Sequence, residues 1–173
     1  MTEFVLAGGC FWCLDSSYSQ FKGIIDVECG YSGGHTSSPT YEEVCSEKTG
    51  HAEVAKVIFD ESIISAEVVL DLYFTVHDPR QLNRQGNDIG TSYRSAMFYQ
   101  GEEQKAIFEK ALARASEMWD GEIVTTLQPL EIFWPAEEYH QDYFSKNPGN
   151  AYCQSVVSGK MAKTRSSFTD YLK

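Results

Sequence analysis

The stretch from Phe4 to Cys13, with the sequence FVLAGGCFWC, sets the start of the fold. An apolar run predicts a strand, two glycines predict a tight turn, and a helix is expected to follow. This order places Cys10 at a helix N-terminus. Unpaired backbone N–H groups and the positive end of the helix dipole meet there and favour a thiolate. We therefore predict that Cys10 is a nucleophile with a lowered pKa, beside an apolar wall formed by Phe11 and Trp12.

The first hundred residues have a pattern that predicts the element order β-α-β-β-α-β. Strands are expected over residues 3–7, 24–31, 51–60 and 95–99, and helices over residues 10–21 and 66–76. This is the order of a split βαβ unit. The sequence therefore predicts an α+β fold, a two-layer sandwich with a ferredoxin-like core, added helices and an irregular C-terminal tail. A length of 173 residues suits one domain over residues 1–173.

The connecting and C-terminal segments are harder to assign. Residues 35–50 and 77–94 are expected to be loops, and the second is long enough to be functional. A helix over residues 102–119, a strand over 123–127 and an extended segment over 129–133 follow. A short helix is expected over residues 136–145. The remainder to residue 173 is expected to be weakly structured, with at most a final helical turn.

Charge and targeting patterns limit the classes of partner. The formal net charge is −11, which argues against nucleic acid or an anionic membrane as the main partner. Neither a signal peptide nor an apolar run of about 18 residues is visible, so a cytoplasmic location is expected. The five cysteines are an odd number, and in a reducing compartment they are more often catalytic or buried than paired.

Cys10 and Cys13 form a single Cys-x-x-Cys pair. A structural metal site needs about four ligands, and neither a second cysteine pair nor closely spaced histidines are present, so we expect no metal. A redox sensor or metal-binding module built on this pair remains an alternative. A general thiol–disulfide oxidoreductase is another, although Phe-Trp between the cysteines is unusual for that class.

Several polar residues can have a catalytic role only if the fold brings them close to Cys10. By strand alternation Glu53 is expected to face solvent, unless the mouth of its strand abuts Cys10. In that case a buried carboxyl with a raised pKa would be a proton donor. Tyr41 and Tyr93 are either packing residues or phenol donors, and Asp88 by default belongs to a turn.

Taken in order, the segments resemble the peptide methionine-S-sulfoxide reductases, the MsrA family. The resemblance extends from residue 4 to about residue 153. Its pieces are GCFW at 9–12, GYSGG at 30–34, PTY at 39–41, TGHAE at 49–53, QGND at 85–88, YRS at 93–95 and YHQ at 139–141. No single piece is specific, but the ordered set is.

The resemblance implies an enzyme that reduces methionine-S-sulfoxide, free or in proteins, to methionine. It implies that Cys10 attacks the sulfoxide sulfur and that Glu53 protonates the sulfoxide oxygen. Tyr41 and Tyr93 are similar to phenols that polarise this oxygen, and Asp88 is similar to a residue that orients substrate or water. No metal, flavin or nicotinamide is expected, since no fingerprint for one is present.

The resemblance also implies how the cycle closes. Phe11 and Trp12 look like the pocket for the S-methyl group. Cys10 would become a sulfenic acid, condense with a second cysteine, and be regenerated by thioredoxin. Many family members have glycine at the position of Cys13, so both Cys153 and Cys13 are candidate resolving cysteines. Cys153 is favoured, because Cβ atoms one helical turn apart lie about 5–6 Å from each other, beyond the ~3.5–4.5 Å of a disulfide.

Overall fold

A computed structural model describes residues 1–173 and shows a mixed α/β fold around a central mixed sheet. The strands are β1 (Thr2–Ala7), β2 (Ile24–Ser32), β3 (Ala52–Phe59), β4 (Arg84–Gln85), β5 (Asp88–Ile89), β6 (Ala96–Tyr99), β7 (Thr126–Pro129) and β8 (Trp134–Pro135). The α-helices are α1 (Phe11–Tyr18), α2 (Tyr41–Cys45), α3 (Ala66–Val76), α4 (Gly101–Met118), α5 (Tyr143–Lys146) and α6 (Ser158–Ser167).

The main sheet has six strands in the order β7-β6-β1-β3-β2-β8. Strand β1 is antiparallel to β3 on one side and to β6 on the other, and β2 is antiparallel to β3. Only β6 and β7 pair in parallel. The crossover from β1 through α1 to β2 therefore skips one position, which β3 fills. Since β1 is a central strand and ends at Ala7, the turn that follows it lies at the edge of the sheet formed by the strand ends, near its middle.

Both faces of the central strands are buried. On β1, Phe4 and Leu6 join the main core, while Val5 and Ala7 pack on the opposite face of the sheet. Phe4 meets the rings of Phe59 and Phe108 with centroids 5.0 Å apart. Strands buried on both faces carry near-continuous apolar runs, which explains why the sequence of β1 does not alternate.

Helices α1, α3 and α4 supply the helical side of the main core. Helix α3 begins where predicted, because the Ser65 hydroxyl accepts a hydrogen bond from the Val68 N–H. Its side chains Val69, Leu72 and Tyr73 are almost completely buried. Tyr73 also donates from its hydroxyl to the Ala7 carbonyl, at 2.6 Å, and so ties α3 to the end of β1.

Two segments predicted as loops contain short regular elements. Residues 35–50 include α2, whose N-terminus has a capping box formed by Thr40 and Glu43. Residues 77–94 include the β4–β5 hairpin and a 3₁₀ turn over Thr91–Tyr93. Elements of two to five residues are too short to show a helical or strand period, so the pattern could not predict them.

The C-terminal region departs most from expectation. The single helix predicted over residues 136–145 is wrong, because Asp142 has a left-handed backbone with φ 53° and separates a 3₁₀ turn at Glu138–His140 from α5. The predicted irregular tail is also wrong. A π-helical turn over Cys153–Val157 continues into α6.

The end of the chain is tied to α1 and β2. The Gln20 side chain donates to the Thr164 hydroxyl at 3.2 Å and accepts from Arg165 at 2.8 Å. Phe21 and Leu172 form an isolated antiparallel bridge. No helix in the structure combines the length and the apolar composition that crossing a bilayer requires.

Candidate active site

Cys10 lies in the turn between β1 and α1, as the N-cap residue of that helix. Gly9 has φ +84°, a left-handed value that glycine adopts without strain, and a Cβ there would come within 2.8 Å of the Gln85 side chain. At Gly8 a Cβ would lie 3.0 Å from the His77 ring. The two glycines thus let the backbone pass close to neighbouring side chains. Cys10, the next residue, is 8% exposed.

Glu53 is brought to the same helix N-terminus. Its Oε1 accepts a hydrogen bond from the Phe11 N–H at 3.1 Å, and the side chain is 1% exposed. The solvent-facing orientation expected from alternation is wrong. Both faces of β3 are buried, and Glu53 continues the face that carries Ala55 and Val57 toward α1. Burial raises the pKa of Glu53 to about 8, against the opposing effect of the Phe11 bond, so the carboxyl is protonated at neutral pH.

The thiol of Cys10 does not have the lowered pKa that its position suggested. Burial raises its pKa well above the usual range, and the nearby Glu53 and Cys13 add to the shift. Only the Trp12 backbone N–H lowers it. A helix dipole contributes about 0.3–1 kcal/mol at an exposed site, which loss of hydration at a buried thiol outweighs. In the substrate-free protein the thiol and the carboxyl are therefore both neutral.

An aromatic wall follows Cys10 directly. The Trp12 ring stacks on Tyr143 with centroids 3.8 Å apart and planes within 3°. Its Nε1–H donates to His140 Nδ1 at 3.1 Å. Phe11 is fully buried, with ring centroids 5.7 Å from Tyr31 and 5.0 Å from His140. Contacts on several sides fix both rings, with Trp12 partly exposed and Phe11 buried behind the surface.

Two phenols on different elements lie within electrostatic range of Glu53. Tyr41 is the first residue of α2, and its backbone N–H donates to Glu137 Oε2 at 2.9 Å. Tyr93 ends the 3₁₀ turn. Burial raises the pKa of both phenols, and Glu53 is the first charged group that adds to each shift. Both hydroxyls therefore stay protonated and available as donors.

Asp88 lies on β5 and is bound by the C-terminal segment. Its Oδ2 accepts a hydrogen bond from the Tyr152 hydroxyl at 2.5 Å. The Tyr152 ring in turn meets the Trp12 ring edge-on, with centroids 5.8 Å apart. The β4–β5 hairpin, α1 and the segment before α6 thus meet at one point beside Cys10.

The two candidate resolving cysteines are both buried near Cys10. Cys13 is 1% exposed, and burial raises the pKa of its thiol to about 11. Its N–H donates to the Cys10 carbonyl at 3.1 Å, so the first turn of α1 is intact between them. Cys153 is 0% exposed, begins the π-helical turn and packs in the same apolar cluster as Cys10. All five cysteines are free thiols.

The structure adds four side chains that the residue patterns did not single out. These are Glu137, His140, Tyr143 and Tyr152. His140 is buried, and together with Tyr143 it holds Trp12, whereas Glu137 accepts from the Tyr31 hydroxyl and from the Tyr41 backbone. The YHQ segment pointed to His140 only through the family resemblance. Nothing in local sequence distinguishes the others from ordinary surface residues, because their neighbours come from distant parts of the chain.

The assembled site combines a buried thiol, a protonated carboxyl, two phenols and an apolar wall. No three His, Cys, Asp or Glu side chains are grouped in a way that would hold a metal ion. Such an arrangement can direct a sulfur nucleophile at a small group that has one polar and one apolar side.

Comparison with known proteins agrees with this chemistry. A family model described as peptide methionine sulfoxide reductase matches residues 2–172. A protein named peptide methionine sulfoxide reductase MsrA, from Clavibacter michiganensis subsp. michiganensis, is 55% identical over 173 residues, which are 100% of this chain and 99% of that protein.

Solved structures show the same fold. Mxr1 from Saccharomyces cerevisiae in reduced form is 34% identical with a TM-score of 0.83, over 88% of each chain. A crystal structure of Mxr1 in complex with Trx2 matches 82% of this chain and 84% of that chain, at 22% identity and a TM-score of 0.59.

Proposed function

The chain belongs to the peptide methionine sulfoxide reductase family, and we propose that it reduces methionine-S-sulfoxide, free or in proteins, through Cys10. The observation that carries the residue assignment is the buried, protonated Glu53 hydrogen-bonded at the helix N-terminus where Cys10 lies. Since the family match covers residues 2–172, we treat the chain as one catalytic domain. Family membership favours sulfoxide reduction over the sensor and the general thiol–disulfide oxidoreductase.

The chemical step uses Cys10 and Glu53 together. The sulfur of Cys10 forms a bond to the sulfoxide sulfur while the oxygen takes the Glu53 proton, and the thiol proton passes to the Glu53 carboxylate that this leaves. The hydroxyl then moves from the substrate sulfur to the Cys10 sulfur, while the sulfur–oxygen bond of the substrate and the newly formed sulfur–sulfur bond both break. Methionine leaves with its sulfur reduced by two electrons, and Cys10 becomes a sulfenic acid, oxidised by two. Because negative charge develops on the oxygen, donors placed there stabilise the transition state.

The walls of the site explain how one epimer would be selected. Tyr41 and Tyr93 would donate to the oxygen from the side of Glu53, and Asp88 would orient substrate or water. Phe11 and Trp12 would pack against the S-methyl group. With the oxygen, the methyl group and the attacked sulfur each placed, only one configuration at sulfur also directs the remaining chain outward. We assign that configuration to the S epimer.

Cys153 is the proposed resolving cysteine. It packs in the same cluster as Cys10, and it begins a π-helical turn, a distortion that often marks functional segments. Its thiolate would attack the Cys10 sulfenic acid, release water and form a disulfide. Cys13 is the alternative, and it would have to unwind the first turn of α1.

Thioredoxin is the proposed reductant. The disulfide needs an external dithiol to return Cys10 and the second cysteine to thiols. Mxr1, which shares this fold, is described in a complex with Trx2. A dithiol donor of this kind and a cycle that passes through free thiols both fit a reducing compartment, so we propose a cytoplasmic location.

The strand order also supports the finer description of the fold. Strands β6, β1, β3 and β2 are adjacent in that order, each antiparallel to its neighbour. We propose that they form a split βαβ, ferredoxin-like core, to which β7, β8 and helices α4 and α6 are added.

The function is tested by reduction of separated S and R epimers of dabsyl-methionine sulfoxide with dithiothreitol. We expect turnover of the S epimer only, and its loss in Cys10→Ser. Cys29→Ala is the matched control, because it removes another buried thiol of the same cluster. Turnover of neither epimer by the folded wild-type protein, or full activity in Cys10→Ser, would contradict the proposal.

A further inference from the structure

Glu47 makes an unusual contact between two walls of the site. It follows α2, and its carboxylate reaches the 3₁₀ turn that carries Tyr93. Oε1 accepts hydrogen bonds from the Thr91 hydroxyl and the Ser92 N–H, both at 3.0 Å, and Oε2 accepts from the Ser92 hydroxyl at 2.6 Å. Three donors on two adjacent residues therefore bind one carboxylate.

The backbone at both ends of this contact is adapted to it. Glu47 has φ +65°, in the left-handed region that a residue with a side chain rarely adopts. Gly90 has φ +141°, and a Cβ at Gly90 would lie 2.6 Å from the Glu47 carboxylate. Glu47 thus has a backbone conformation that glycine would adopt without strain. Gly90 lies where any side chain would displace the Glu47 carboxylate.

The contact joins the elements that carry the two phenols. Tyr41 begins α2, and Glu47 follows the end of the same helix. Tyr93 is the next residue after Ser92, whose side chain is 1% exposed. The other end of α2 is fixed by the bond from the Tyr41 N–H to Glu137. With Glu47 in place, α2 is held at both ends and the 3₁₀ turn is fixed to it.

We propose that Glu47 is a positioning residue that sets the placement of the Tyr41 and Tyr93 hydroxyls around the sulfoxide oxygen. This inference rests on the proposed function, because it gives the two phenols their role. Glu47 does not touch substrate in this account. It acts through the geometry of α2 and of the 3₁₀ turn.

Its charge gives the proposal an independent readout. Titratable groups on the neighbouring elements lie within electrostatic range of Glu53. They are Cys10, Cys13, Cys29, Tyr31, Tyr41, Cys45, Asp88 and Tyr93. Among the charges near Glu53, Asp88 and Glu47 both raise its pKa. Removing the Glu47 charge therefore lowers the pKa of Glu53, and the decline of the rate at high pH begins at lower pH.

Two substitutions separate geometry from charge. Glu47→Gly relieves the backbone and removes the contact. We expect only a small change in thermal stability, because relief of the left-handed backbone offsets the loss of the three hydrogen bonds. We expect kcat to fall by about 10- to 100-fold with a smaller change in KM, because misplaced donors weaken the transition state. Glu47→Gln retains an oxygen acceptor for Ser92, so we expect most of kcat to return. The loss of rate at high pH should begin at lower pH in both variants.

The matched control is Glu42→Gln. It removes one negative charge from the exposed side of the same helix without a bond to the 3₁₀ turn, and should leave kcat and the pH profile unchanged. The double variant Glu47→Gly/Ser92→Ala should have nearly the same kcat as Glu47→Gly alone, because the contact between the two residues is already lost.

The wild type is assayed first in the same experiment. Wild-type inactivity toward both epimers would overturn the proposed function and this inference with it. An active wild type with unchanged kcat and pH profile in Glu47→Gly would overturn the inference alone. If Glu47→Gly does not fold, wild-type kcat in Gly90→Ala, whose Cβ would displace the Glu47 carboxylate, would overturn it.

Discussion

At the scale of single residues, the site depends on two buried groups whose ionisation is suppressed. Cys10 and Glu53 lie at one helix N-terminus, where an isolated cysteine or carboxylate would be stabilised as an anion. Burial reverses that preference for both. A neutral pair is suited to a substrate whose oxygen must be protonated as its sulfur is attacked, because Glu53 retains its proton until the substrate needs it.

Glu53→Gln tests the acid. Glutamine keeps the size of the side chain and an acceptor for the Phe11 N–H, but it cannot deliver a proton. We expect kcat for the S epimer to fall by about 10²–10⁴-fold. In the wild type the rate should decline as pH rises through about 8, where Glu53 loses its proton, and this decline should be absent from the variant. A Glu53→Gln enzyme with wild-type kcat would remove Glu53 from the mechanism.

At the scale of elements, long periodic segments were predictable and short ones were not. The strand of β1, the glycine turn and α3 follow from apolar pattern and from the Ser65 cap. Helix α2 was predicted as loop, because its five residues lie below the length at which a helical period shows. Helix α6 was missed because its sequence, SGKMAKTRSS, has few apolar residues and is held by contacts with Gln20.

The candidate site shows the same division. The position of Cys10 followed from the turn it occupies, whereas the roles of Tyr41, Asp88 and Tyr93 came only from the family resemblance. Glu53 was placed on the wrong face because alternation has no meaning in a strand buried on both faces. The lowered pKa of Cys10 was predicted from the dipole of a local helix. That prediction was wrong because burial, which raises the pKa, depends on the whole fold.

The anchoring of α6 makes a prediction about the resolving cysteine. Since α6 is tied to Gln20, movement of Cys153 toward Cys10 must be accommodated by the segment between α5 and α6. We expect Cys153→Ser to lose thioredoxin-dependent turnover while it keeps turnover driven by dithiothreitol. Cys13→Ser should keep both. The reverse pattern would identify Cys13 as the resolving cysteine.

At the scale of the whole molecule, the buried Glu53 of the active site lowers the free energy of unfolding at neutral pH. The folded protein holds a proton on Glu53 up to about pH 8, whereas an unfolded glutamate loses it near 4.5. Between these values the native state binds more protons than the unfolded state, so this group makes stability fall as pH rises. Burial lowers the pKa of His77 to about 3. This group therefore makes stability fall as pH drops below about 6.5, the opposite pH dependence to that of Glu53.

Thermal unfolding should reveal the contribution of Glu53. We expect Glu53→Gln to melt above the wild type at pH 7.5, because glutamine does not ionise and so gives the unfolded chain no advantage over the native state. The difference in stability should widen by about 2 kcal/mol between pH 6 and pH 7.5, equivalent to roughly 4–8 °C in Tm for a protein of this size. His77 is common to both proteins and cancels in the comparison. A constant difference in Tm over this range would mean that Glu53 is ionised at neutral pH.

The most direct measurement is to map the oxidised sulfur after a single turnover. A Cys13→Ser/Cys153→Ser protein, reduced and freed of reductant, is mixed with methionine-S-sulfoxide in the presence of dimedone and digested for mass spectrometry. We expect one dimedone adduct, on Cys10, formed together with an equal amount of methionine, and none with the R epimer. Methionine formed without an adduct on Cys10, or an equal yield from both epimers, would contradict it.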